Sequence, residues 1–245
     1  MPEANGVSKD APQEAFLARI PGSDVFIQVF AISVALSMAA FITSTKLGGA
    51  GIAGPFPWHI VFMSLAWVAF AVLGLHSYSS ASDSSKDERR AWHAGYMMCT
   101  AVLTVLGWAM IYWAHELFPL GHTGGLEIGA EGVKMNRGFV HAAHVSLGYL
   151  VIAAVVMQGG MGWYKRRTLQ TTGEKVLGWH GDFGRWVMMP LGLVNVILGI
   201  WCLSPRWSVA VQVVFTLCVL VLGALIAVPA APVKGEEAKL VTEGA

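Results

Sequence analysis

Six stretches of the chain are almost wholly apolar, and polar residues gather between them. The stretches run Val25–Thr43, Trp58–Tyr78, Trp92–Leu117, Phe139–Trp163, Trp179–Leu203 and Trp207–Val228. A helix of about 17–25 apolar residues crosses a hydrocarbon core of about 30 Å, so each is long enough to span. Trp58, Trp92, Trp163, Trp179 and Trp207 stand at span ends, where a belt of interfacial aromatic rings is expected. Pro55, Pro57, Pro119 and Pro205 punctuate the loops. The pattern predicts an all-α polytopic membrane protein with six transmembrane helices.

Composition agrees with that reading. Hydrophobic residues make up 55% of the 245 and charged residues only 13%, against roughly 25% charged in a soluble domain. A net charge of +1 gives no reason to expect a nucleic-acid partner. Cys99, Cys202 and Cys218 all fall inside apolar spans without metal or redox spacing, and are expected to be packed thiols. Residues 1–24 mix Glu3, Lys9, Asp10, Glu14 and Arg19 without an apolar core of signal-peptide type, so the first span is expected to act as an uncleaved anchor. Residues 229–245 read as a polar, disordered tail. The membrane domain is then 25–228.

Loop charges orient the spans. The second-to-third loop holds Lys86, Arg89 and Arg90, and the fourth-to-fifth holds Lys165, Arg166, Arg167 and Lys175. The loops on the other side hold Lys46, Lys134, Arg137 and Arg206. Lys9, Arg19, Lys234 and Lys239 in the termini add to the richer side. Both termini are therefore expected in the cytoplasm. The loop of about Phe118 to Gly138, Gly-rich and with two Glu, falls on the opposite side; its length makes it a candidate functional segment.

The chemistry-bearing pattern is four histidines, each at or near the start of a different span: His59, His93, His144 and His180. Ionisable side chains inside spans are rare and mark function by default. Because successive spans alternate in direction, His59 can face His144 on one side of the membrane and His93 can face His180 on the other. A second regularity accompanies the pairing. His59 is followed at i+4 by Met63 and His93 by Met97, whereas His144 is followed by Gly148 and His180 by Gly184. Residues at i and i+4 share a helical face, so each pair joins an H-x-x-x-M helix to an H-x-x-x-G helix. The glycine would leave room for a flat ring and the methionine would give it a soft contact.

Two separated histidine pairs suit haem better than a bare ion. Zinc and copper sites usually gather three or four protein ligands, while haem brings its own equatorial nitrogens and asks only for axial ligands. An iron with imidazole on both sides has no open position and carries electrons. The ring nitrogen not bound to iron then needs a partner such as a backbone carbonyl or water. His141, three residues before His144, is an alternative ligand, or a group that bonds a propionate or substrate on the outer face. Arg185, inside the fifth span, is a candidate propionate partner; snorkelling to the headgroups or pairing with Asp182 are the other readings. Lys86, Arg89 and Arg90 form a cationic mouth before His93, suited to an anionic donor. His76, His115 and His122 are expected in wet interfacial positions.

The segments "WHIVFMSLAW" at His59, "RRAWHAGYM" at His93, "HAAHVSLGY" at His144, "WHGDFGRW" at His180 and the following "LGLVNVILGI" resemble the cytochrome b561 family of transmembrane electron-transfer proteins. The resemblance covers residues 58–203; the first and sixth spans match in position and hydropathy alone. It is nearest to the subgroup often joined to a DOMON domain, here as a stand-alone core. It implies two b-type haems in a four-helix core, with His59 and His144 on the non-cytoplasmic haem and His93 and His180 on the cytoplasmic one. It implies ascorbate as cytoplasmic donor near Lys86, Arg89 and Arg90, and monodehydroascorbate or a ferric chelate as acceptor. It also admits a homodimer. Met97 departs from the family pattern: many ascorbate-using members carry a second histidine at that place.

The sequence is thus read as a transmembrane oxidoreductase that passes electrons between two haem b groups, with membrane lipid and small-molecule redox couples as its partners. A quinone-linked cytochrome subunit of a membrane dehydrogenase is the alternative within that class. A haem-free transporter or scaffold is the alternative outside it, disfavoured because transporters place broken helices and polar groups at the midplane.

Overall fold

The computed structural model describes residues 23–47, 49–79, 85–114, 134–203 and 207–227, with side chains of 23, 79 and 134–138 excepted. Every long element among them is a helix and none is a strand. Six helices are long and apolar enough to cross a membrane: α1 (Ser23–Thr43), α2 (Phe56–Tyr78), α3 (Lys86–Tyr112), α4 (Lys134–Thr172), α5 (His180–Cys202) and α6 (Val209–Ala227). The chain is an integral, multi-pass membrane protein. The polar ends, 1–22 and 228–245, and most of the long third-to-fourth loop lie outside the described residues.

Two helices are longer than the apolar pattern predicts, and local chemistry explains both. α3 starts six residues before Trp92, because Ser85 and Glu88 form a capping box: the Ser85 side chain accepts from the Glu88 N–H at 3.2 Å and Glu88 Oε2 accepts from the Ser85 N–H at 2.8 Å. Two of the otherwise orphaned donors of the helix end are satisfied in this way. α4 runs nine residues past Trp163 and stops where Gly173 takes φ +76°, the left-handed cap that glycine adopts without strain. The basic loop residues Lys86, Arg89, Arg90, Lys165, Arg166 and Arg167 therefore stand on helices, which holds them in register with the histidines one or more turns below.

α2 packs along α3, and α4 along α5; α1 and α6 pack on the outside against α2 and α5. α2 is the central helix, with 67% of its most apolar window buried inside the protein against 11% for that of α4. In a bilayer, close helix approach depends on small residues at the contact. Gly192 of α5 is such a residue: the Trp67 ring of α2 lies where a Cβ would be. Both helices carry a π-helical turn near this crossing, Leu65–Phe70 in α2 and Gly184–Met188 in α5. In α5 the turn leads directly to Pro190, which has no N–H to give.

Three expectations are corrected. Trp207 is not in an interfacial belt: it is 3% exposed and packs against Phe41 and Phe215. Cys99 is an exposed thiol rather than a packed one. His76 is buried and pairs with Asp24 at 3.1 Å, tying α2 to the start of α1. His115 and His122 fall outside the described residues.

Candidate functional site

A cavity of about 380 Å³ opens among the four helices α2 to α5 near one end of the bundle, with Met38 of α1 also on its wall. Its wall includes His59, Met63, Trp67, Thr104, His144, Gly148, Asn195 and Gly199. The volume lies in the range of about 300–1,000 Å³ usual for cofactor-sized ligands. His59 and His144 face each other with ring centroids 6.2 Å apart and planes at 81°. Two imidazoles sharing one metal, each nitrogen about 2 Å from it, would have centroids roughly 6 Å apart. The donor pair therefore fits a bis-histidine iron. His141 also lines this cavity, but it is exposed and His144 is the histidine opposite His59.

The ring orientations are set by backbone carbonyls. His59 Nδ1 donates to Gly107 O at 2.9 Å, His144 Nδ1 to Asn195 O at 3.0 Å and His93 Nδ1 to Gly74 O at 2.8 Å. A carbonyl can only accept, so Nδ1 must carry the proton in each ring. Nε2 is left as the unprotonated nitrogen, the form in which imidazole ligates a metal. His180 differs: its Nδ1 is buried without a partner.

Around these bonds the four helices repeat one construction twice, in opposite directions. On α2, His59 lies 15 residues before Gly74; on α3, His93 lies 14 before Gly107. His59 bonds Gly107, and Met63 packs on the same glycine, where a Cβ would lie 3.1 Å from Met63 Cγ. His93 bonds Gly74, and Met97 packs on that glycine, with its Cε 2.6 Å from the place of a Cβ. The methionines at i+4 thus seat the glycine whose carbonyl holds the histidine. α4 and α5 repeat a second version. His144 and Gly148 lie opposite Gly199 and Asn195, while His180 and Gly184 lie opposite Gly162 and Gln158. Each imidazole rests on a glycine: a Cβ would lie 3.0 Å from the His144 ring at Gly199 and 3.2 Å from the His180 ring at Gly162. The space left by Gly184 is taken by the Gln158 amide, 2.9 Å from the place of a Cβ, and that beside Gly148 by the Asn195 amide at 3.4 Å. The i+4 glycines therefore admit amide side chains, although Gly148 also borders the cavity. Fourteen residues of helix rise about 21 Å, so the two histidine levels lie that far apart along the helix axes.

The second level is less closed. Among the described residues, His93 and His180 make no ring contact like that of His59 with His144. The ring that packs on His93 is Tyr78, edge-on at 4.7 Å. Lys165 Nζ donates to Leu177 O at 3.3 Å, and that carbonyl also accepts from the His180 N–H at 3.1 Å. Leu177 has φ +52°, a left-handed conformation costly for a residue with a Cβ. Lys165 is thus the cation tied to this level, a role its place among the loop charges did not suggest. Arg90 pairs with Asp87 at 2.9 Å and is exposed, Arg89 is half-buried one turn before His93, and Lys86 is exposed.

Arg185 is placed elsewhere. It lines a separate groove of about 290 Å³ between α5 and α6, with Leu75, Leu193 and Leu220, and it forms no ion pair with Asp182. Among the described residues, no three His, Cys, Asp or Glu side chains converge as a site for a bare ion. The chain matches no family model, no curated protein and no solved structure.

Proposed function

We propose that this protein is a transmembrane electron carrier, of the cytochrome b561 type, holding two bis-histidine b-type haems. The observation that carries the reading is the His59–His144 pair, 6.2 Å apart across a cofactor-sized cavity with both Nδ1 protons held by backbone carbonyls. Support for the second site is the inverted repetition of the same construction around His93 and His180, with one ring bond missing.

Haem bound in these places supplies a one-electron iron couple. The chain's own residues do the rest. His59 and His144 would hold one haem, and His93 and His180 the other. Gly107, Asn195 and Gly74 fix three rings and raise the basicity of their Nε2 atoms through the Nδ1 bonds. Trp67, Met63 and a mostly apolar wall line the outer site. Lys165, with Arg89 and Lys86 on the same side, provides positive charge where an anionic donor such as ascorbate would dock. The excess of Lys and Arg in the loops supports assigning that side to the cytoplasm and the His59–His144 cavity to the far side, where monodehydroascorbate or a ferric chelate would accept the electron.

The test is reduction of the purified protein followed in the visible haem bands. Growth of sharp α and β bands and a shift of the Soret band to longer wavelength on adding ascorbate are expected. A protein reduced by a quinol and never by ascorbate would move it to the quinone-linked cytochrome subunits.

A further inference from the structure

The inverted repetition has one defect, and it lies at His180. Of the four site histidines, His180 alone has a buried Nδ1 without a hydrogen-bond partner. A buried polar atom left unpaired costs about 1–3 kcal/mol, so a ring nitrogen in that state calls for a specific partner; at the other level the unpaired buried atoms are Asn195 Oδ1 and Thr104 Oγ1, not a histidine nitrogen. The side chain bonded to the same residue is Gln158. Its Nε2 donates to the backbone carbonyl of His180 at 2.8 Å, and its own Oε1 is also buried and unpartnered. A donor and an acceptor, both buried and both unpaired, thus belong to two residues already joined by a hydrogen bond.

The other level has a counterpart of Gln158. Asn195 stands four residues before Gly199, as Gln158 stands four before Gly162. Asn195 faces Gly148 and holds His144; Gln158 faces Gly184 and holds the carbonyl of His180. Asn195 serves His144 through its backbone oxygen. Gln158 has one methylene more, so its amide reaches further from the α4 backbone. Gly184 is needed for this, since a Cβ there would lie 2.9 Å from the amide nitrogen.

We infer that Gln158 is the positioning residue of His180: its amide nitrogen anchors the first residue of α5, and its amide oxygen accepts the Nδ1 proton when His180 ligates iron. This rests on the di-haem reading. The three other rings are held by rigid backbone carbonyls, whereas His180 is held by a side chain that can turn. The haem at the His93–His180 level is therefore the one whose ligand strength depends on a side-chain amide.

The experiment compares wild type, Gln158→Leu, Gln158→Glu and Gly184→Ala, each purified with its haem. The readouts are the low-spin ferric resonances and the midpoint potential of each haem. Gln158→Leu removes the acceptor, and should raise the potential of one haem only, shift its resonance and weaken its retention roughly 10- to 100-fold. Gln158→Glu offers a stronger acceptor and should lower that same potential. Gly184→Ala displaces the amide with Gln158 intact and should resemble Gln158→Leu; it stands in if the leucine variant does not fold. Two unchanged resonances and potentials in Gln158→Leu, or in Gly184→Ala, would overturn the role of Gln158 and leave the di-haem reading intact. A wild-type protein without haem would overturn the reading itself, and this inference with it.

Discussion

Among single residues, glycines and carbonyls carry as much of the site as the histidines do. Gly107, Gly74 and Gly199 let a ring or a methionine approach backbone, and Gly107 and Gly74 also present the carbonyls that hold His59 and His93. Gly107→Val should therefore push Met63 aside, tilt His59 and release one haem while the other stays, as counted by pyridine-haemochrome absorbance per chain. Gly192 carries a different load. Because the Trp67 ring occupies its Cβ place, Gly192→Ala should destabilise the α2–α5 crossing by about 1–3 kcal/mol, the usual cost of overpacking. A melting temperature in detergent equal to that of wild type would contradict the packing. The histidines, and the i+4 methionines and glycines, were legible in the sequence because a polar residue in an apolar run stands out and helical spacing is fixed. Gly74, Gly107, Gly162, Gly199 and Gln158 were not. Gly74, Gly107 and Gln158 lie 14 or 15 residues from a histidine on their own helix, Gly162 and Gly199 18 or 19; each meets the histidine of a neighbour, a relation that exists only after the helices pair.

At the scale of elements, the apolar runs predict the six helices but miss several of their ends, and at the start of α3 and the end of α4 the reasons are local. Hydropathy stops where charge begins, yet a helix continues until a cap ends it. The S-x-x-E at Ser85–Glu88 and the glycine at 173 were the available signals. Ser85→Ala should lose the cap, costing about 1 kcal/mol, and should speed amide exchange in the first turn of α3 with little change at His93, seven residues further on. Protection in that turn unchanged by the substitution would argue against the cap. The π-helical turns of α2 and α5 were invisible in the pattern, since one extra residue in a turn leaves an all-apolar face apolar. Trp207 misled for a related reason: tryptophan at a span end reads as interfacial, but the ring of this one turns inward onto Phe41 and Phe215.

For the whole molecule, the arrangement is two helix pairs, α2 with α3 and α4 with α5, each running antiparallel and each repeating its own contacts end for end. That inverted repetition puts two histidine levels about 21 Å apart on the helix axes, one toward each face of a hydrocarbon core of about 30 Å. It also makes the two sites separable. At this scale the central claim is that each level holds its own haem, and haem counting in histidine variants reads it directly. Purified wild type should hold two haems per chain. His59→Ala and His93→Ala should hold one each, with different spectra because a different haem is lost. The double variant should hold none. Equal spectra from the two single variants, or a haem surviving in the double variant, would contradict the account.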